Sequence, residues 1–119
     1  QPRRQIASLN DMYPTICELA GVPLPGPNIG RSLVPLLASA DADPVRESWV
    51  LTYMEGNHGL RTASYAYLRY RDGSTELYDM ASDPAQLDNL SPQTDYAPTI
   101  ARLDARLEAW LADPVNQQD

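Results

Sequence analysis

The sequence predicts an α+β fold: a helix and a Pro-rich loop lead into a small antiparallel sheet that packs on a C-terminal helix. Three observations predict it. Apolar residues recur at helical spacing near both ends, at Leu9, Met12, Ile16, Leu19 and Ala20 and again at Ile100, Leu103, Leu107, Trp110 and Leu111. Between them, from Glu47 onward, the period changes to two. Finally, Asp72-Gly73 separates two runs of strand-forming residues, as a tight hairpin requires.

The first helix is expected over about Leu9 to Ala20. Asp11 is placed to cap its free amides, Pro14 falls in the first turn, and Gly21 accepts the left-handed conformation that ends a helix. Val22 to Asn28 holds three prolines in seven residues and reads as an extended loop. Arg31 to Leu37 allows at most a short helical turn, and Ala38 to Pro44 reads as a mobile surface loop. In the first strand Trp49, Leu51 and Tyr53 share one side and Ser48, Val50 and Thr52 the other. A second strand follows Gly59. Tyr65 to Arg71 and Ser74 to Met80 then form a hairpin, and a two-residue type I′ loop would pair Arg69 with Glu76, Leu68 with Leu77 and Tyr67 with Tyr78. Asp83-Pro84-Ala85-Gln86 reads as a capping box opening a single turn. The last helix runs from about Tyr96 to Ala112. Its outer charges give no help, because Arg102 with Arg106 and Asp104 with Glu108 are like pairs four apart.

A chain of 119 residues is one domain or a piece of a larger protein. With 43% hydrophobic and 21% charged residues it has the composition of a globular chain, not of a disordered one. Nine Arg and no Lys stand against sixteen acids, for a net charge of −7, so nucleic acid is not an expected partner. No apolar run approaches the roughly 20 residues that span a bilayer, and no membrane partner is expected. Because Cys17 is the single cysteine, an internal disulfide and a multi-cysteine metal site are both excluded. The chain opens on Gln1 and Pro2, and the expectation is that it was cut from something upstream.

Candidate reactive groups are few. His58, in the connection Glu55-Gly56-Asn57-His58-Gly59, is the single imidazole, and the two glycines there would let backbone approach a ligand; a lone loop histidine is more often an ordinary surface residue. Cys17 lies beside an apolar stripe with no histidine near it in sequence, which fits a buried, inert thiol. Asp79 and Asp83 lie four apart in a bend, where turn-making explains acids better than metal binding. The seven tyrosines suggest a stacking surface for a sugar or aryl ligand, but cross-strand packing accounts for most of them. From its residues alone the chain lacks a complete active site, and no metal ligands are assigned.

Several segments, taken in order, resemble the C-terminal part of the type I sulfatases of the alkaline phosphatase superfamily. They are Ser8-Leu-Asn-Asp-Met-Tyr-Pro-Thr-Ile-Cys-Glu-Leu-Ala-Gly-Val-Pro, Gly30-Arg-Ser-Leu-Val-Pro-Leu-Leu, Leu60-Arg-Thr, Tyr65-Ala-Tyr-Leu-Arg-Tyr-Arg-Asp-Gly, and Glu76-Leu-Tyr-Asp-Met-Ala-Ser-Asp-Pro-Ala-Gln-Leu-Asp-Asn-Leu. The pattern departs from the family at Ala66, where a Lys is common, and at Gln86, where a Glu is common. The resemblance implies a four-stranded antiparallel sheet packed on a C-terminal helix over residues 47–119. Residues 1–46 would be a helix and Pro-rich connector from the end of the parent's catalytic domain. It also implies a parent that hydrolyses sulfate esters with a formylglycine and a divalent metal, Ca²⁺ or Mg²⁺, neither of them held by this chain. Cys17 is followed by Glu-Leu-Ala and does not fit the formylglycine motif. His58 and Arg61 are the candidates for residues near the substrate, since a cation there would suit an anionic ester.

The chain alone is therefore expected to be inactive, and its partner is the parent catalytic domain. Without that domain the apolar stripe of the first helix needs another cover, either the chain's own sheet or a second copy of the chain. Two other readings stay open at this level: a free-standing interaction module using its tyrosine-bearing sheet, and a piece of a related phosphonate or phosphate ester hydrolase.

Overall fold

Four short strands in the order β1-β2-β3-β4 form an antiparallel meander in the computed structural model, which describes residues 5–39 and 41–117. The strands are β1 (Ser48–Thr52), β2 (His58–Thr62), β3 (Tyr65–Arg69) and β4 (Thr75–Asp79). Before them come α1 (Met12–Ala20), entered through a 3-10 turn at Leu9–Asp11, and the short α2 (Val34–Ala38); after them comes α3 (Ala97–Leu111). The α+β class, the four strands and both long helices stand as the sequence predicts. Of the expected mobile loop, Ala40 lies outside the described residues.

The core is one row across the sheet. Val50 pairs with Leu60, Leu60 with Tyr67 and Tyr67 with Leu77. All four are at most 3% exposed, and they pack with Leu103 and Leu107 of α3. Burying side chains of this size stabilises the fold by roughly 1.5 to 3 kcal/mol each. Ile100, Trp110 and Leu111 flank the cluster, which accounts for the whole stripe predicted for the last helix.

Three local expectations are corrected. The β3–β4 hairpin is slipped by one residue: Arg69 faces Thr75, Leu68 faces Glu76 and Tyr67 faces Leu77. The loop has three residues, Arg71 to Gly73, closed by Tyr70 N–H donating to Ser74 O (2.9 Å), with Gly73 left-handed at φ 85°. Asp72 secures it by accepting from both the Ser74 N–H and hydroxyl, contacts that hold its carboxyl below the usual range. A two-residue loop would put Tyr67 opposite Tyr78 and break the apolar row, so burial selects the register. Second, Gln86 is left-handed at φ 57°, which no helix start tolerates; Asp83 instead accepts from Leu87 N–H and Asp88 N–H. Third, the charges on α3 do act, but across elements. Arg69 bridges Asp104 and Glu108, and Arg106 pairs with Glu47.

α1 differs most from expectation. Its predicted apolar stripe faces outward, with Leu9 88%, Ile16 57% and Leu19 65% exposed. The chain's own sheet does not cover it. Pro14, Thr15 and Cys17 face inward, and Cys17 is buried as expected. Gly21 ends the helix, with Val22 N–H donating to Cys17 O at 2.9 Å, the Schellman arrangement.

Candidate functional site

α1 is held down by polar groups. The fully buried Asp11 carboxylate accepts from Ser8 N–H (2.8 Å), Arg31 N–H (2.8 Å) and the guanidinium of Arg46. It thus closes a capping box back onto Ser8 rather than capping α1 itself. Thr15 Oγ1 donates to Asp11 O and accepts from Leu33 N–H, fastening the segment that follows the Pro-rich loop. Gly30 lies against the backbone of Asn10 so closely that a Cβ there would strike Asn10 O. Arg46 in turn stacks on Trp49 of β1, its guanidinium carbon 4.4 Å from the ring centroid. Burial lowers the pKa of Arg46 and the Asp11 charge opposes that shift. Sequence reasoning missed this anchor. The Ser8-x-x-Asp11 spacing was its visible half, and Arg46 carried no signal.

On β2, His58 and Arg61 are three residues apart and project to opposite faces. Leu60 points at α3, so His58 shares that side and Arg61 the other. His58 opens β2 instead of sitting in the loop, paired with Thr52, whose Oγ1 is 3.5 Å from His58 Nδ1. No carboxylate orients the ring among the described residues. Arg61 lies between Trp49 and Ala66 in the sheet register, and Ile6 and Ala7 line the same two clefts as its side chain. One cleft, of about 570 Å³, runs between β1 and the segment Ile6 to Asn10. The other, of about 540 Å³, is bounded by Gln5, Thr62, Met80 and Pro84. Arg61 Nη1 is buried without a hydrogen-bond partner, as is Gln5 Oε1. His58 lines neither cleft, so the fold does not bring the two candidates into one pocket.

Asp79 and Asp83 make turns, as their spacing suggested: Asp79 accepts from Ala81 N–H at 2.8 Å, and Asp83 takes the two amides already described. Among the described residues no three His, Cys, Asp or Glu side chains group as a metal site. Cys17 is buried in α1 and followed by Glu-Leu-Ala, so the described residues fit neither a divalent metal nor a formylglycine. The chemistry this surface offers is binding: an arginine with unspent donors beside apolar clefts.

A four-stranded antiparallel meander packed on a C-terminal helix, with a helix before it, is consistent with an α+β sulfatase C-terminal domain. The chain belongs to that family: residues 2–113 match the model described as N-sulphoglucosamine sulphohydrolase, C-terminal. It is 34% identical over 124 residues to arylsulfatase K of Mus musculus, covering 92% of this chain and 22% of that protein. Among solved structures it resembles BT1596, a 2-O GAG sulfatase, with a TM-score of 0.73 and 29% identity over 85% of this chain and 24% of that one. BT4656, solved with its substrate D-glucosamine-2-N,6-O-disulfate, gives a TM-score of 0.73 and 25% identity, covering 91% and 25%. The chain therefore spans about a quarter of the length of these relatives.

Proposed function

We propose that this chain is the accessory C-terminal part of a sulfate-ester hydrolase, inactive alone, which supports and shapes the substrate cleft of a preceding catalytic portion. That portion would supply the formylglycine and the divalent metal. The observation that carries the reading is the outward apolar face of α1, held in place by the buried Asp11 anchor. A stripe of exposed leucine, isoleucine and methionine on a rigidly anchored helix is the signature of a surface that another layer covers. The relatives, roughly four times as long as this chain, supply the candidate for that layer.

His58 and Arg61 remain the candidates for contact with substrate, now as alternatives on opposite faces. Arg61 offers the guanidinium geometry that suits a sulfate oxygen pair. The named substrate of BT4656 and the 2-O GAG specificity of BT1596 point to a sulfated sugar as the substrate class. The test is kinetic, on the complete enzyme. Whichever of His58→Ala and Arg61→Ala removes a substrate contact raises KM for the sulfated saccharide about tenfold or more, as expected for loss of one charge-assisted hydrogen bond. Two variants with unchanged KM overturn the substrate contact, and turnover of an aryl sulfate by the 119-residue chain alone overturns the accessory role.

A further inference from the structure

The two edges of the sheet are treated differently. The outer side of β4 is covered: Leu90 N–H donates to Leu77 O (2.8 Å), Asn89 Oδ1 accepts from Leu77 N–H (3.0 Å), and Ser91 Oγ donates to Thr75 O (2.6 Å). Among the described residues β1 has no such cover. Its one strand partner is β2, and no hydrogen bond joins it to any described residue elsewhere. An uncovered edge exposes a row of unpaired N–H and C=O groups and is a template for another strand.

The cleft of about 570 Å³ lies along this edge. It is lined by the consecutive residues Trp49 to Thr52. Neighbours in a strand point to opposite faces, and the same space is lined by Arg61, on the face away from α3, and by Trp110 of α3, so it wraps around this edge. Its walls are mainly apolar and include Ile29 and Trp110, and Leu51, also in the lining, is 58% exposed. The one charged residue in its lining is Arg61, whose Nη1 is buried and unpartnered. On a chain of net charge −7 this groove is a cationic exception.

We infer that β1 accepts a fifth strand: an extended segment of the polypeptide that precedes such a domain, apolar at alternate positions and carrying a carboxylate for Arg61, an assignment that leaves His58 as the candidate for substrate contact. Three features choose this occupant. Main-chain pairing along an open edge with side-chain pockets beside it is how extended segments are recognised. The relatives place about three quarters of their length outside the region matched here, so the segment has a source. A second copy is disfavoured, because its charge of −7 repels the first and its own β1 brings no carboxylate. The inference rests on the accessory reading and deepens it, by naming how the catalytic portion is joined.

Amide hydrogen exchange on the complete polypeptide tests it. The β1 amides that point away from β2 are expected to exchange within about tenfold of those that point toward it, whereas a bare edge exchanges on the order of 100-fold faster or more. Arg61→Gln should speed the outward set at least about tenfold while the β2–β3 amides, which report on the fold, stay slow. Fast outward amides in the unaltered protein overturn the inference. Outward amides indifferent to Arg61→Gln overturn the carboxylate, and protection that grows with protein concentration assigns the edge to a second copy instead. Hydrolysis of the sulfate ester by the same sample, with β1 exchanging freely, would leave the accessory role standing and remove this one.

Discussion

A single buried carboxylate holds the N-terminal third of the molecule. Asp11 is fully buried and the Arg46 side chain is 6% exposed, so neither charge has water to fall back on. Removing one partner strands the other. Asp11→Ala is therefore expected to destabilise the chain by about 3 to 5 kcal/mol, read from urea unfolding. Replacing Asp11 and Arg46 together by apolar residues should cost much less than the single change, since no charge is left unpaired. A single variant within about 0.5 kcal/mol of the parent would show that the pair holds nothing. The Ser8-x-x-Asp11 spacing was readable as a helix start, whereas its arginine partner 35 positions along was not. Periodicity and capping rules describe neighbours in sequence, and this pair is made by the fold.

Each element was legible as a type and less so in its placement. The turn residues Asp72-Gly73 marked the hairpin, but the same dipeptide serves a two-residue loop and a three-residue loop with a left-handed glycine. The choice between them belongs to Leu77, which must face the core beside Tyr67. Gly73 carries the strain of that loop, at φ 85° with open space where a Cβ would stand. Gly73→Ala should thus cost about 1 to 2 kcal/mol through backbone conformation alone, with native circular dichroism and a lower urea midpoint. An unchanged midpoint would mean that the loop does not need the left-handed residue. The stripe of α3 was read in full because it packs on this chain's own sheet. The stripe of α1 was read equally well as a stripe, yet its direction was not, because hydrophobic spacing states that a face is covered and not by what.

At the scale of the molecule, sheet and helix are joined by an apolar row and a polar rim. Arg69 Nη1 donates to Asp104 and Glu108, and Tyr67 OH donates to Asp104 Oδ1 at 2.9 Å. Burial and that hydrogen bond raise the Tyr67 pKa well above the ordinary tyrosine value, and a hydrogen bond to Glu76 pushes Tyr78 up to about 12. A raised folded pKa means that the native state holds the proton more tightly than the unfolded chain. The stabilisation is complete below about pH 10, the unfolded value, and is lost as pH climbs from there toward the folded value. Stability should fall with alkaline pH, and Tyr67→Phe should make that fall shallower in urea midpoints measured above about pH 10. Equal slopes would remove the linkage. By itself the sequence determined the α+β class, the four strands, the apolar face of each long helix and the family, since these follow from residue period, turn chemistry and the order of motifs. The tertiary structure alone decided the hairpin register, the partner of Asp11, the outward turn of α1 and the separation of His58 from Arg61. Those depend on which surfaces are buried against one another, and burial is a property of the whole packed chain that no local pattern encodes.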